Sequence, residues 1–383
     1  MAFVLGSCLY PNATYLDTLA RALESACGPA EGRGDWTIAD PRFALFLGDN
    51  VYMDVHPDRV EGTGAEHTAA IYAKAFLERS ASARALSCLP ALSLVDDHEI
   101  YDGYPEIEPH VMRTWIPRVR AGFVDAAHHG IAAFQTSKNP PSPTGRSFCF
   151  DVGPLSLFGL DTRIARTRIR THEPRLTSEP DLSAFERWAE GLRGPGLLLL
   201  AQPLLCAKGS YIEPSYSEFT ADYGRIVRAL RDAPFDIAVL AGDLHTSRVV
   251  ELDVGGRIVT EVVSSPLIRV PSFVPNLLHR LIGGAEDQEA EVIDVPATVP
   301  DSEIEVRAAS YVMGTATPNA FALLEARTAG DDIIVRVELV DHAANRLAQC
   351  EPDRGGKSPR VALGLPCTTT FRLSRRTLAK PQA

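Results

Sequence analysis

FALFLGDNVY, Phe43 to Tyr52, is the stretch on which the fold turns. An apolar, β-prone run breaks at Gly48 into Asp49 and Asn50, then resumes with Val51 and Tyr52. In an α/β protein, buried parallel strands read as continuous hydrophobic runs, and ligands gather outside their carboxyl ends. Three other runs end the same way: AFVL in Gly6-Ser7-Cys8, ALSLV in Asp96-Asp97-His98-Glu99, and DIAVLA in Gly242-Asp243-Leu244-His245. Any one of these clusters is an ordinary polar loop. Together they predict carboxylates, a thiol, a phenol and imidazoles converging on one crevice.

The first half alternates strand and helix. VLGSC, FALFLGD and ALSLVDD read as core strands, with helical spacing in YLDTLARALESAC and AAIYAKAFLERSASARAL between them, which argues for βαβ units. Residues 103–145 read as a mostly helical or irregular insertion beside the site, closed by the loop signal Asn139-Pro140-Pro141-Ser142-Pro143. RSFCFDVG and LSLFGLDTR suggest an antiparallel pair, followed by a helix around DLSAFERWAEGLR, a strand at GLLLLAQPL and an amphipathic helix in TADYGRIVRALRDA. Two hairpins follow, RVVELDVGGRIVTEVVSS turning at Gly255-Gly256 and FALLEARTAGDDIIVRVELVD turning at Gly-Asp-Asp; these late strands are expected to complete a second sheet. Residues 271–305 read as an acidic insertion and 367–383 as a loosely held basic tail, within a single domain spanning 1–383.

With 383 residues, 45% hydrophobic and 23% charged, the chain can bury a large core. A formal charge of −11 opposes broad nucleic-acid or acidic-membrane binding, which needs excess Lys and Arg. The start, MAFVLGSC, has no basic n-region or long apolar h-region, and the longest apolar stretches are too short and interrupted to span a bilayer. Seven cysteines without framework spacing suit a reducing compartment, so a cytoplasmic location is expected, and the sequon at Asn12-Ala13-Thr14 is read as an accident.

The ligands gain meaning from each other. Asp49 can bridge two cations, Tyr52 in the same loop can turn a phenol towards one of them, and Cys8 can add a thiolate. Alone, Cys8 is a small buried hydrophobe and Asp49 a turn residue. Asp97 and His98 divide into a metal carboxylate and a general acid, against a solvated acidic loop. Asp243 and His245 alternate after a strand, so both can face one metal. Gln202 stands equally as a polar strand end or a site residue.

In order and type these motifs resemble the alkaline phosphatase D family, the PhoD-like branch of the calcineurin-type metallophosphoesterases. The resemblance runs over roughly residues 3–325 and rests on Ser7-Cys8, GDxxY at Gly48 to Tyr52, DDHE at Asp96 to Glu99, LDTR at Leu160 to Arg163, GDxH at Gly242 to His245, and SSP at Ser264 to Pro266. It implies an α/β fold, the calcineurin-like α-β-β-α sandwich of two mixed sheets flanked by helices. The wider superfamily has a histidine or second carboxylate where Cys8, Tyr52, Gln202 and Asp243 stand, and an asparagine at Asp97. Thiolate, phenolate and carboxylates make a harder, more anionic site, and the resemblance implies Fe3+ with Ca2+; Mn2+, Zn2+ and Mg2+ stay open.

The resemblance further implies a metal-dependent phosphoric ester hydrolase, mono- or diesterase, acting on a small phosphate ester through a two-metal site and a metal-bound hydroxide. Cys8, Asp49, Tyr52, Asp97, Asp243 and His245 would hold the metals, His98 would act as general acid, and Arg163 would clamp phosphate. Arg166, Arg168 and Arg170 read either as a positive rim or as a solvated loop. The alternative is a catalytically impaired metal-binding or regulatory protein of the same fold. A serine or cysteine hydrolase lacks a nucleophile-elbow pattern.

Overall fold

The structure, a computed structural model, describes residues 1–28, 34–54, 64–77, 81–106, 112–142, 144–205, 214–269, 296–299, 302, 304–315, 319–350 and 365–375. Along the chain run β1 (Ala2–Gly6), α1 (Ala13–Cys27), β2 (Ala44–Leu47), α2 (Ala65–Phe76), α3 (Ala81–Ser87), β3 (Ala91–Leu94), α4 (Pro117–Phe134), β4 (Phe148–Val152), β5 (Leu155–Gly159), α5 (Glu179–Glu190), β6 (Gly196–Leu199), α6 (Thr220–Asp232) and β7 (Ile237–Ala241). Strands β8 (Ser247–Val254), β9 (Arg257–Val263), β10 (Ala297–Thr298), β11 (Glu305–Thr315), β12 (Ala320–Ala329), β13 (Asp332–Asp341), β14 (Arg346–Leu347) and β15 (Thr368–Leu373) follow.

These strands form two mixed sheets. One has the order β14-β13-β12-β1-β2-β3, with β15 also on β13; the other has the order β10-β11-β8-β9-β7-β6-β5-β4. Strands β1, β2 and β3 are parallel, as are β5, β6 and β7.

Strand alternation explains the layering. Phe3, Leu5, Leu45 and Leu47 share a buried cluster with Leu197, Leu199, Ala238 and Leu240 of the other sheet, so the two sheets pack face to face. Val4, Ala44 and Phe46 point the other way, onto Leu16, Leu19 and Leu23 of α1 and Leu86 of α3. On the far side, Phe185 of α5 and Ile226 and Leu230 of α6 cover Leu198 and Val239. The result is the α-β-β-α sandwich. No helix among the described residues is long and apolar enough to cross a membrane.

Two sequence expectations change, and one residue gains a role. The late hairpins do not complete one sheet: β8–β9 join the second, while β12 pairs antiparallel with β1 and carries β13 into the first. The basic tail is anchored at its start, because the β-branched run of Thr368 to Thr370 with Phe371 pairs along β13; residues 376–383 lie outside the described residues. Asn12 has a structural use, since its side chain accepts the Thr14 N–H and caps α1. Within 103–145, α4 packs Phe123 and Ile131 against Tyr72 of α2 and onto Val51, Met53 and Tyr101, in the loops after β2 and β3. Most of 271–305 lies outside the described residues.

The parallel strand ends crowd together. Gly242 follows β7, and a Cβ there would sit 2.6 Å from the Leu47 carbonyl oxygen and from Ser7 Cβ. Gly48 has φ +92°, and its Cβ would meet Asp96 Cβ at 2.6 Å. Gly242→Ala should therefore lower stability by ~1–3 kcal/mol, the range for overpacking. Urea denaturation at constant m reads this, and a variant as stable as the parent would mean that the three strand ends are not in contact.

Candidate metal centre

Each strand end delivers a polar side chain. Cys8 follows β1, Asp49 and Tyr52 follow β2, Asp96 to Glu99 follow β3, Arg163 follows β5, Gln202 follows β6, and Asp243 and His245 follow β7. Cys8, Asp49, Asp243 and His245 have φ of 58°, 53°, 67° and 52°. This left-handed backbone is disfavoured for residues with a Cβ. Holding it at four of these residues means that the surrounding packing dictates the turn, as at sites where side-chain direction matters.

Ligand atoms of Asp49, Asp97 and His98 lie within 4.8 Å of one another, and so do those of Asp49, Asp96 and Asp243. Asp49 belongs to both groups. The Cys8 thiol is 3.4 Å from Asp49 Oδ2 and accepts a 3.2 Å hydrogen bond from the Ser265 hydroxyl. Tyr52 packs its ring over His98 at 4.3 Å between centroids and edge-on against Tyr10. His245 joins neither group, although its backbone N–H is held by Ser265 Oγ at 3.0 Å.

The electrostatics report crowded anions. Burial, and then the Asp49 and Asp243 charges, push the Cys8 thiol well above its ordinary pKa. Burial also raises Asp49, helped by Asp97, Glu99 and Asp243 and opposed by His98. Tyr52 is raised by burial and by Cys8, Asp49, Asp97 and Asp54. Asp97 is lowered, since His98, Arg163 and the Gly103 N–H outweigh burial. Burial would lower His98, but Asp54, Asp97 and Asp49 together raise it well above the usual histidine value. Desolvation by the surrounding chain, and then the His98 charge, push His245 below the usual histidine value.

These donors fit metal ions. The Tyr52 hydroxyl and Asp97 Oδ1 are buried without a hydrogen-bond partner in the protein, whereas buried polar atoms are normally paired. A cation would satisfy both and offset the repulsion that raises Cys8, Asp49 and Tyr52.

Several residues that organise the centre are given no role by the sequence reading, although Ser7 and Glu99 fall within its motifs. Glu99 is fully buried, and its carboxylate accepts the N–H groups of Asp49 at 2.9 Å, Asn50 at 2.6 Å and Asp96 at 3.0 Å, besides Gln135 Nε2 at 3.2 Å. Burial raises it to about 6 against those hydrogen bonds. Asp54 contacts His98 Nδ1 at 2.9 Å and accepts the Asp102 N–H at 2.7 Å. Ser7 Oγ donates to the Ser264 carbonyl and accepts the Asp243 N–H, which ties β1, β7 and β9 at the site.

The expected phosphate clamp is corrected. Arg163 is 0% exposed. Its guanidinium is ion-paired with Asp96, Nε lying 2.5 Å from Oδ1, and Nη1 donates to the Tyr104 carbonyl at 2.7 Å. Asp161 turns it inward by accepting the Arg163 and Ile164 N–H groups. Arg163 thus holds Asp96, a carboxylate that lies beside Asp49 and Asp243. Arg166 is no solvated loop residue either: it is 4% exposed, lies over Tyr216 and Phe219, and donates at 2.7 Å to Gln202 Oε1, whose Nε2 donates to Asp243 Oδ2 at 3.2 Å. Gln202 is therefore part of the site's frame. Arg168 and Arg170 are exposed.

No family model matches the chain, and no curated protein does. Among solved structures, that of PhoD matches over 100% of this chain and 72% of the other, at 14% identity and a TM-score of 0.54. A purple acid phosphatase, PPD1 from yellow lupin (Lupinus luteus) seeds, matches over 97% and 53%, at 9% identity and TM-score 0.47. GAP50, the anchor in the inner membrane complex of Plasmodium, matches over 98% and 89%, at 9% identity and TM-score 0.46. The chain shares the fold of PhoD.

Proposed function

We propose that the protein is a metal-dependent phosphoric ester hydrolase acting on a small phosphate ester. The observation that carries this reading is Asp49, shared by two groups of ligand atoms in one buried crevice. Cations held by these residues would supply charge neutralisation at the phosphoryl oxygens and acidify a water. Cys8, Tyr52 and Asp97 would share one ion with Asp49, and Asp96, Asp243 and His245 the other. The thiolate, phenolate and carboxylates favour a trivalent ion beside an oxygen-loving divalent one; Fe3+ with Ca2+ is the proposed pair.

The protein's own groups do the rest. His98 is held at Nδ1 by Asp54, whose charge raises it above the usual histidine value, and this orients the ring to donate a proton to the leaving oxygen. Its side chain is 15% exposed, enough to meet a substrate at the crevice mouth. Arg163 acts as a positioning residue, neutralising Asp96 from the protein side and leaving its other face to a cation. Gln202, backed by Arg166, does the same for Asp243. The second reading, a metal-binding protein without turnover, is weakened by the Asp54–His98 pair, since holding ions does not require a charged histidine.

Purified protein should contain two metal ions per chain and hydrolyse model mono- or diesters, with activity abolished by chelator; active protein free of stoichiometric metal would refute the hydrolase mechanism. Two bound ions with no turnover on any ester would favour the second reading.

His98→Ala should reduce turnover by roughly 100-fold or more while metal content persists, the scale of a lost general acid. Asp54→Asn should cause a smaller loss, of roughly tenfold, by leaving the ring unoriented and less basic. Loss of metal from His98→Ala would make the imidazole a ligand instead.

Tyr52→Phe removes the donor oxygen and nearly preserves volume. With iron bound, it should lose a visible phenolate-to-iron charge-transfer band and bind iron more weakly, while Ca2+ affinity changes less. Unchanged colour and iron content would reduce Tyr52 to a packed aromatic.

A further inference from the structure

Two cysteines outside the metal centre meet in the core. Cys350 follows β14 and Cys367 immediately precedes β15, and both belong to the apolar cluster between the sheets, with exposures of 7% and 0%. The Cys367 thiol donates to Cys350 Sγ at 2.9 Å. That hydrogen bond, opposed by burial, lowers the Cys350 thiol below its ordinary pKa. Among the described residues, neither thiol belongs to a group of ligand atoms able to hold a metal ion.

The main chain fixes both residues. Gln349 and Pro366 form an antiparallel bridge, flanked by the Cys350 N–H donating to the Leu365 carbonyl at 2.8 Å and the Cys367 N–H donating to the Ala348 carbonyl at 2.7 Å. Leu339 of β13 holds both segments, accepting the Ala348 N–H at 2.8 Å and donating to the Cys367 carbonyl at 3.0 Å. The two thiols are therefore neighbours because paired backbone places them so, and joining them requires only that the sulfurs close to about 2.0 Å.

We propose that Cys350 and Cys367 form a disulfide while the chain folds, by exchange with a small-molecule disulfide, and that the bond clasps β15 onto β13. Neither metal binding nor turnover is needed for it. One cysteine thiolate attacks the oxidant's S–S bond, forming a mixed disulfide and releasing a small thiol. As the two segments pair, the other cysteine thiolate attacks the protein-side sulfur, closes the Sγ–Sγ bond and releases the second small thiol. Two cysteine thiols are oxidised, one small disulfide is reduced to two thiols, and the two cysteine protons pass to those thiols. Burial places the exchange during folding, since docked Cys367 offers no surface to an oxidant, and it equally shields the finished bond from reductants. The bond ties positions 17 apart in sequence, so it removes freedom chiefly from the unfolded chain.

The full chain is refolded from denaturant once with reduced and oxidised glutathione and once with a phosphine reductant, the same metal ions being present in both. Each product is alkylated in denaturant, digested with trypsin without reduction and mapped by mass spectrometry. The glutathione product should contain LAQCEPDR, residues 347–354, joined to VALGLPCTTTFR, residues 361–372. Its thermal midpoint should lie roughly 5 °C above that of the reduced product. Phosphine added to the folded glutathione product should leave the joined peptides intact, and added in denaturant should part them. Cys350→Ser and Cys367→Ser should each remove the joined peptides and the gap in midpoint; comparison of the two parent products decides the matter even where a variant fails to fold. Alkylation of both cysteines in the glutathione product overturns the pair, and so does either of them joined to glutathione or to a different cysteine. Joined peptides with an unchanged or lower midpoint overturn the clasp. Ready reduction in the folded protein overturns a bond made in the core.

Discussion

The placement of acids against one another at the carboxyl ends of buried strands governs everything else in this molecule. Asp49 is 1% exposed, Asp96 1% and Asp97 2%, and their carboxylates lie within ligand-sharing distance. Burial first, and then like charges this close, disfavour ionisation, and Asp49, Cys8 and Tyr52 are all pushed up. A chain relaxing freely would turn these side chains into water. The fold prevents this by fixing the backbone that carries them.

That fixing is done largely with main-chain hydrogen bonds to one carboxylate. Glu99 gathers the N–H groups of Asp49, Asn50 and Asp96, so the loops after β2 and β3 share one anchor. Ser7, Ser264 and Ser265 perform the corresponding task between β1, β7 and β9. Glycine completes the arrangement, because at Gly48 and Gly242 the adjoining strand ends leave no room for a Cβ. The two sheets meet through an apolar core with the strand ends at its rim, and deformation of the site is resisted by the packing of both halves.

What sequence reveals here follows from range. Gly48-Asp49 after FALFL announces itself because apolar run, glycine and acid are contiguous, and the same holds at Asp97 and Asp243. The carboxylate that orients His98 is Asp54, 44 residues earlier, and nothing in its neighbours marks it. An arginine in a sequence carries no label of burial, so Arg163 reads as a surface clamp and Arg166 as a solvated residue. Their burial becomes visible only when Asp96 and Gln202 are brought against them. The destinations of the two late hairpins were hidden for a related reason: antiparallel alternation is identical in both, and only the pairing of β12 with β1 assigns one of them to the first sheet.

The arrangement of positive charge separates two designs for an anionic centre. A site built only to store cations gains from having all its counter-charge supplied by the ions. Here the protein supplies some itself. Arg163 is ion-paired with Asp96, and Arg166 is linked to Asp243 through the neutral amide of Gln202. His98 alone carries its charge towards solvent, and its partner Asp54 is buried beneath it. Removing water from an ion pair strengthens the hold of each partner on the other. A buried Asp54 therefore fixes the orientation of the imidazole through Nδ1. An oriented imidazole at the crevice mouth is what the proposed proton delivery requires and what ion storage does not.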